Sequence, residues 1–227
     1  MKKLCVISLV LLIFTACSQY VPSVASLTAS IVSSYDNPVV IRVFMEGNDG
    51  NYITGARVHI TNPGGQLESA GFTTNEGCYK GYFEELLSGE YTITVYSALL
   101  PQNETMVIQH TIPEGSPFIT QLSDEGGNNA LLGNPINGNS DVSVRWDPVT
   151  GGGIYVVSLK RGVNPVWTQS LSDCALTIPS LTMADNGSYT LSITSQCITG
   201  DPFLIEEPYY SVSESRPVHV LFSVENK

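Results

Sequence analysis

The sequence has few charged residues, and most of those are acidic. Of its 227 residues 14% are charged, with 10 Lys and Arg against 21 Asp and Glu, so the formal net charge is -11 at pH 7. Binding to nucleic acid without sequence preference needs Lys and Arg to displace counterions from phosphate. Anionic lipid surfaces attract the same residues. The composition therefore argues against nucleic acid as a partner and against electrostatic attachment to a membrane.

Motifs of catalysis and metal binding are also missing. There is no G-x-S-x-G elbow, P-loop or dinucleotide fingerprint. The three histidines, His59, His110 and His219, lie far apart within apolar segments and have no neighbouring ligand at metal spacing. Residues 46–51 lack the alternating oxygen ligands of a calcium loop and are predicted to form a hairpin turn. We therefore predict a non-enzymatic chain without cofactor or metal, in which the histidines are hydrogen-bonded strand residues.

No apolar run is long enough to span a membrane as a permanent helix. The longest, residues 4–14, is interrupted only by Ser8 and follows Lys2 and Lys3. A membrane-spanning helix needs roughly 20 apolar residues, whereas a positive start followed by a shorter run is typical of an export signal. Residues 1–16 are therefore predicted to be a signal peptide.

The signal ends in Phe14-Thr15-Ala16-Cys17, which resembles the lipobox of bacterial lipoproteins. The resemblance implies that the Cys17 thiol receives a diacylglycerol and that the bond before it is cut, which leaves residues 17–23 as a tether on the membrane of the cell envelope. Because Ser18 follows the cysteine, the outer membrane is favoured in a host with two membranes. The alternative is an ordinary secretory signal, with Cys17 merely following the cleavage site.

After residue 23 nearly every apolar stretch has the pattern of a β-strand. The runs mostly alternate, are rich in β-branched and aromatic residues, and are separated by clusters of Gly, Asn, Asp and Pro. This pattern predicts an all-β chain of two tandem, immunoglobulin-like β-sandwich domains. Residues 113–117, with a proline at each end, predict a hinge between residues 24–113 and residues 114–227. The clearest runs are 39–44, 56–60, 90–96, 142–146, 154–159 and 188–193.

Three segments of the first half occur in the order seen in a known module. They are residues 55–60, residues 73–79 and residues 87–95, with Gly77 and Gly89 where the chain reverses. Together they resemble the carboxypeptidase regulatory-like, or prealbumin-like, domain over roughly residues 37–100. Since that module is usually an accessory β-sandwich, the resemblance implies no catalysis.

The second half resembles a fibronectin type III domain. Residues 142–149 and Tyr155 match its second and third strands, whose Trp146 and Tyr155 are expected to form an aromatic centre. Residues 187–193 match the sixth strand and Val218–Val224 the last. The interval from Leu181 to Tyr189 is longer than in that family, so two roles stay open for Tyr189: a hydrogen-bonded corner or plain core.

Cysteine use leaves one pairing open. Cys17 is assigned to lipid, and Cys174 and Cys197 fall on consecutive strands, at the same end of the predicted sandwich. A disulfide between them is geometrically feasible, and the alternative is two unpaired, partly buried thiols. Cys78 is predicted to be a small buried hydrophobic residue.

The segment of residues 197–215 is the most informative loop of the prediction. It is much longer than a hairpin needs, and it contains Phe203, Tyr209 and Tyr210 beside carboxylates. Long loops with exposed aromatic residues are typical of contact surfaces. The three aromatic residues therefore either contact a partner or pack within the molecule.

These features favour a cell-envelope lipoprotein that serves as a binding or spacer module, with a membrane anchor and an unknown protein or glycan partner. The alternative function is an accessory subunit of an envelope enzyme or transport assembly.

Overall fold

The computed structural model describes residues 23–200 and 209–226. The predicted signal peptide with Cys17, and Phe203 of the predicted loop, lie outside the described residues. Those described form fifteen strands and one 3-10 helix, Ala130–Leu132, so the all-β prediction is confirmed.

The first sandwich contains seven strands. They are β1 (Val24–Ser34), β2 (Asn37–Gly47), β3 (Arg57–Thr61), β4 (Leu67–Thr73), β5 (Cys78–Phe83), β6 (Gly89–Tyr96) and β7 (Glu104–His110). One sheet has the order β1-β2-β5 and the other the order β4-β3-β6-β7, and β4 also pairs with β5, which joins the two sheets at one side. Tyr91, Ile93 and Val95 on β6 are fully buried, as their alternation predicts.

The second sandwich repeats this arrangement. The strands of this half are β8 (Phe118–Asp124), β9 (Val142–Asp147), β10 (Ile154–Arg161), β11 (Asn164–Leu171), β12 (Ala175–Ile178), β13 (Gly187–Thr199), β14 (Tyr209–Glu214) and β15 (Val218–Val224). The two sheets have the orders β8-β9-β12 and β11-β10-β13-β15, so corresponding strands occupy corresponding places in both halves. Three strands facing four is an immunoglobulin-like sandwich.

Each sandwich has its own hydrophobic core between its two sheets. The buried residues of one cluster come from positions 29–108 and those of the other from positions 119–224. Trp146 on β9 and Tyr155 on β10 meet edge to face, 5.3 Å between ring centroids, so the predicted aromatic centre is present. The Tyr189 hydroxyl donates to the carbonyl oxygen of Asp185 at 3.0 Å, which makes this residue a hydrogen-bonded corner despite the long interval before it.

The strand β14 departs from the two-domain pattern. It pairs with the same edge of β13 as β15 does, β15 with the first part of β13 and β14 with its last four residues. Three residues, 215–217, separate β14 from β15. The other edge of β14 pairs in parallel with β1 of the first sandwich. A single hydrogen-bonded sheet of twelve strands therefore runs through both sandwiches.

The predicted loop of residues 197–215 is consequently shorter than expected. Residues 197–199 belong to β13 and residues 209–214 to β14. The sequence suggested a loop because it does not reveal that β1 offers a free edge on which the segment can pair. At the predicted hinge, the Glu114 amide donates to the carbonyl oxygen of Thr150 at 2.9 Å, so this segment too is held to the second sandwich.

Candidate functional site

The junction of the two sandwiches is built around β14. On one edge Ile31 of β1 is registered with Ser211, and on the other edge Thr199 of β13 is registered with the same residue. The residues of β14 alternate between two faces, one turned toward the molecule and one turned outward. These two faces have different chemistry.

Two serines on the inner face of β14 and Ser215, which follows the strand, are almost completely buried. The Ser211 hydroxyl bonds the His110 ring, the Ser213 hydroxyl donates to the carbonyl oxygen of Thr111, and the Ser215 hydroxyl accepts the amide of Ser195 at 3.0 Å. Each bond reaches an element other than β14, so they tie β14 to both sandwiches. We call Ser33, His110, Ser211, Ser213 and Ser215 the seam.

His110 lies at the centre of the seam, at the end of β7. Its Nδ1 is 2.6 Å from the Ser211 hydroxyl and its Nε2 is 2.9 Å from the Ser33 hydroxyl, so β1, β7 and β14 meet on one imidazole. The ring is fully buried, and this burial lowers its pKa from 6.5 to about 4. His110 is therefore neutral at pH 7, with one ring nitrogen donating and the other accepting.

His219 is also hydrogen-bonded, its Nδ1 lying 2.7 Å from the Ser192 hydroxyl. The expectation of hydrogen-bonded strand histidines is thus met at His110 and His219. The role of His110 in the seam was not visible in the sequence, because the seam serines Ser211, Ser213 and Ser215, spaced two apart, look like the exposed face of a strand. Their spacing of two was the only signal.

The outer face beside the junction forms an apolar groove of about 390 Å³. Val32, Val40 and Val212, from three adjacent strands, form its floor. The Glu214 carboxylate at its rim accepts a hydrogen bond from the Gln196 amide at 2.6 Å. Nearby, the Arg216 guanidinium lies 5.5 Å from the centroid of the Tyr35 ring. Because its floor is apolar and its Glu214 carboxylate already accepts a hydrogen bond, the groove is suited to binding an apolar partner surface rather than to proton transfer.

A second cleft, of about 360 Å³, lies at the opposite end of the first sandwich, beside the start of β1. Its carboxylate, Asp49, accepts bonds from the amide of Asn51 at 3.0 Å and from the side chain of Asn51 at 2.9 Å, which lower its pKa. Both oxygens are thus used within the turn, in agreement with the predicted hairpin. Among the described residues, no group of three or more His, Cys, Asp or Glu is placed to hold a metal ion.

The predicted contact residues Tyr209 and Tyr210 begin β14 and are half-buried. They are registered with Ala29 and Ser30 of β1, and Tyr209 packs against the hydrophobic core of the first sandwich. Of the two roles considered, the structure thus gives Tyr209 packing within the molecule. Tyr210 points to the outer face.

The three cysteines of the described residues are free thiols. The feasible bridge between Cys174 and Cys197 is therefore not formed. Cys174 packs against the second core and lies directly before β12. Cys197 lies on β13, which belongs to the opposite sheet. Cys78 is fully buried, as predicted, and burial raises the pKa of its thiol.

None of the helical structure within residues 23–200 and 209–226 has the length and apolar character of a membrane span.

Comparison with known proteins gives distant structural similarities only. No family model and no curated protein matches the chain. A two-domain fibronectin type III segment of chicken tenascin is 17% identical, and the match covers 89% of this chain and 97% of that chain at a TM-score of 0.35. The fibronectin(III)-like modules of CbhA from Clostridium thermocellum are 14% identical, with 90% and 94% covered and a TM-score of 0.41. The FN1–FN3 domains of chicken CNTN1 are 14% identical, with 91% and 68% covered and a TM-score of 0.43. These similarities are too low to define a function for this chain.

Proposed function

We propose that this chain is a non-catalytic lipoprotein of the bacterial cell envelope, a rigid spacer that holds a binding surface away from the membrane. The observation that carries the proposal is the pairing of β14 on both edges. Six residue pairs join β14 to β1 and four join it to β13.

This connection differs from an ordinary contact between domains. Domains of one chain usually meet through small polar interfaces and move relative to one another. Here a change of angle between the sandwiches has to break backbone hydrogen bonds and expose the buried seam, and each buried polar group left without a partner costs about 1–3 kcal/mol. The two sandwiches are therefore expected to behave as one rigid body.

The direction of the strands places the two ends of this body far apart. Val24 lies at the end of β1 that points away from Gly187, the first residue of β13. Ile31 and Thr199 are both registered with Ser211, so the segment from Val24 to Ile31 and the segment from Thr199 to Gly187 lie one after the other along the molecule. Together they span about 60 Å at the usual rise per strand residue. A lipid on Cys17 would be followed by only a short tether before Val24, so the Gly187 end of the second sandwich would face away from the membrane.

Small-angle X-ray scattering tests the rigidity. We suggest the chain without residues 1–16 and with Cys17→Ser, which retains every described residue and carries no lipid. In Val212→Pro the proline removes an amide from β14, which is paired on both sides, and it cannot sit in the middle of a sheet. We expect the parent chain to scatter as one rigid, elongated particle. The variant should have a larger radius of gyration and the scattering profile of a flexible chain.

The matched control is Val144→Ala, which truncates a buried residue of the second core and leaves the junction intact. It should lower the melting temperature without changing the radius of gyration. A parent chain that already scatters as two independently moving bodies would contradict the spacer proposal.

The alternative, an accessory subunit, is favoured by one observation, the apolar groove over Val32, Val40 and Val212. Co-purification from native membranes separates the two functions. One stoichiometric partner, lost in Val212→Lys, supports a subunit, whereas recovery of the chain without such a partner supports the spacer.

A further inference from the structure

The outer edge of β11 is open. This strand is the first in the order of the twelve-stranded sheet, it pairs with β10 on one side, and no strand of the described ranges pairs with its other side. Six of its eight residues are exposed. In the turn before it Val163 is 90% exposed, and within it Val166 is 40% exposed.

The first sandwich shows what occupies the same edge when it is closed. There β4 has the place that β11 has in the second sandwich, and its outer edge pairs antiparallel with β5 through Gly71, Phe72 and Thr73. The strand that corresponds to β5 in the second sandwich is β12, and it does not reach β11. The second sandwich therefore has a vacancy for an antiparallel strand where the first has none.

The usual protections of an edge strand are weak at β11. Natural edges carry charged side chains, proline, bulges or covering segments. The stretch from Gly162 to Ser172 contains no charged residue. Pro165 and a register shift are confined to the first residues of β11, which leaves Trp167–Leu171 in regular pairing with β10.

Four other edge strands of the described chain are better protected. β7 begins with Glu104, and β8 has a register shift after Ile119 and ends in Asp124. β12 has only four residues. The end of β15 is covered by Ile136, whose amide donates to the carbonyl oxygen of Ser223 at 2.9 Å.

We propose that β11 pairs antiparallel with β11 of a second copy of this chain and forms a symmetric dimer. A twofold axis brings identical surfaces together, so a contact surface whose charges are all of one sign repels its own copy. In a chain with a net charge of -11, an uncharged edge allows a second copy to approach without this repulsion. Antiparallel pairing of a strand with itself satisfies the twofold axis directly.

The side chains of β11 fit such a contact. Trp167 and Leu171 are half-buried and pack against the second core. Thr168 and Ser170 occupy the other face and are exposed. The dimer would bring the Trp167 and Leu171 side chains of the two copies next to one another and remove more of their apolar surface from water. Because an edge contact is small, we expect a weak and reversible dimer.

Sedimentation velocity over a concentration series tests the proposal, with the Cys17→Ser chain that lacks residues 1–16, under reducing conditions. We expect a shift from monomer to dimer with rising concentration. Thr168→Lys should weaken the dimer at least tenfold, because it places two like charges near the twofold axis and blunts the edge. The matched control is Thr105→Lys, which puts the same change at an exposed position on β7, another edge strand, and should leave the dimer intact.

A mixing experiment separates edge pairing from a nonspecific effect of charge. Thr168→Glu alone should also weaken the dimer, and an equimolar mixture with Thr168→Lys should associate more strongly than either variant by itself. A parent chain that stays monomeric at 1 mM overturns the proposal, as does a dimer that both Thr168 variants leave unchanged. A dimer that Thr105→Lys disrupts equally well overturns it too. These readouts do not depend on the spacer function.

Discussion

Tyr91 and Tyr189 occupy equivalent corners of the two sandwiches. The Tyr91 hydroxyl donates to the carbonyl oxygen of Leu87 at 3.2 Å, and the Tyr189 hydroxyl donates to that of Asp185 at 3.0 Å, four residues upstream in each case. Each tyrosine stands two residues after a glycine with positive φ, 138° at Gly89 and 140° at Gly187, a conformation that suits only glycine. Burial raises the pKa of Tyr91 to about 12, so its hydroxyl keeps the donated proton across the physiological range.

Removing either corner hydroxyl should destabilise its own sandwich. We expect Tyr91→Phe and Tyr189→Phe each to lower the free energy of unfolding by about 1 kcal/mol, because the hydrogen bond to the Leu87 or Asp185 carbonyl is lost while the ring stays in place. Since the two sites are in different cores, the double variant should lose the sum. Urea unfolding measures these losses of stability. The control is Tyr82→Phe, because Tyr82 is 49% exposed. Losses no larger than those of the control would show that the corner bonds add nothing.

Acid should weaken the seam through His110. The unfolded chain takes up the proton near the ordinary pKa of 6.5, whereas the folded chain resists it down to about 4. The contribution of neutral His110 is therefore complete above pH 6.5 and falls as the pH drops toward 4, by about 3 kcal/mol in total. Its neighbour Tyr91 stays neutral throughout, with ring centroids 5.7 Å apart.

The measurement is urea unfolding of the parent and His110→Gln between pH 4.5 and 7.5. Glutamine can still bond the serines but does not titrate, so the difference in stability between the two chains should shrink as the pH falls. A difference that stays constant over this range would contradict the assignment.

Tyr209 should be needed for stability and Tyr210 much less so. Tyr209→Ser opens space against the first core, and we expect a loss of about 1–3 kcal/mol, less than for a fully buried aromatic residue. Tyr210→Ser, on the outer face of the same strand, is the matched control. Thermal unfolding compares them, and equal small changes in both melting temperatures would return Tyr209 to the role of a contact residue. Phe203 is the third residue of the predicted contact surface, so the melting temperature of Phe203→Ser is measured in the same series.

The proposed lipid anchor depends on Cys17. Cys17→Ser removes the thiol that would receive the diacylglycerol, so we expect no lipid attachment and an uncleaved or soluble product, of which the soluble form leaves the detergent phase in phase partitioning. The parent chain should partition into detergent. Equal partitioning of both chains would mean that Cys17 is not lipidated.

Much of the fold was predictable because its signals are local. Alternating apolar residues around Tyr91 and around Tyr155 predict strands, and glycines at positive φ mark where those strands begin or end. Trp146 and Tyr155 could be paired because the resemblance to fibronectin type III domains implies an aromatic centre formed by the second and third strands.

The junction was not predictable for a physical reason. β1 and β14 are about 180 residues apart in sequence, and no local pattern records which free edge a strand will join. The seam buries serines, which sequence patterns assign to the solvent face, and they tolerate burial only because His110, Thr111 and Ser195 supply hydrogen bonds. Cys174 and Cys197 show the same limit, since proximity along consecutive strands says nothing about the sheet to which each strand belongs.

The parallel alignment of β1 and β14 also determines how the molecule would carry a mechanical load. A pull applied at Val24 and resisted at the far end of β13 acts along the strands. The hydrogen bonds between β1 and β14 lie across that direction, so all six registered pairs are sheared together instead of opening one after another. The four pairs between β14 and β13 lie along the same path and are loaded in the same way, so the junction carries tension by shear at both edges of β14.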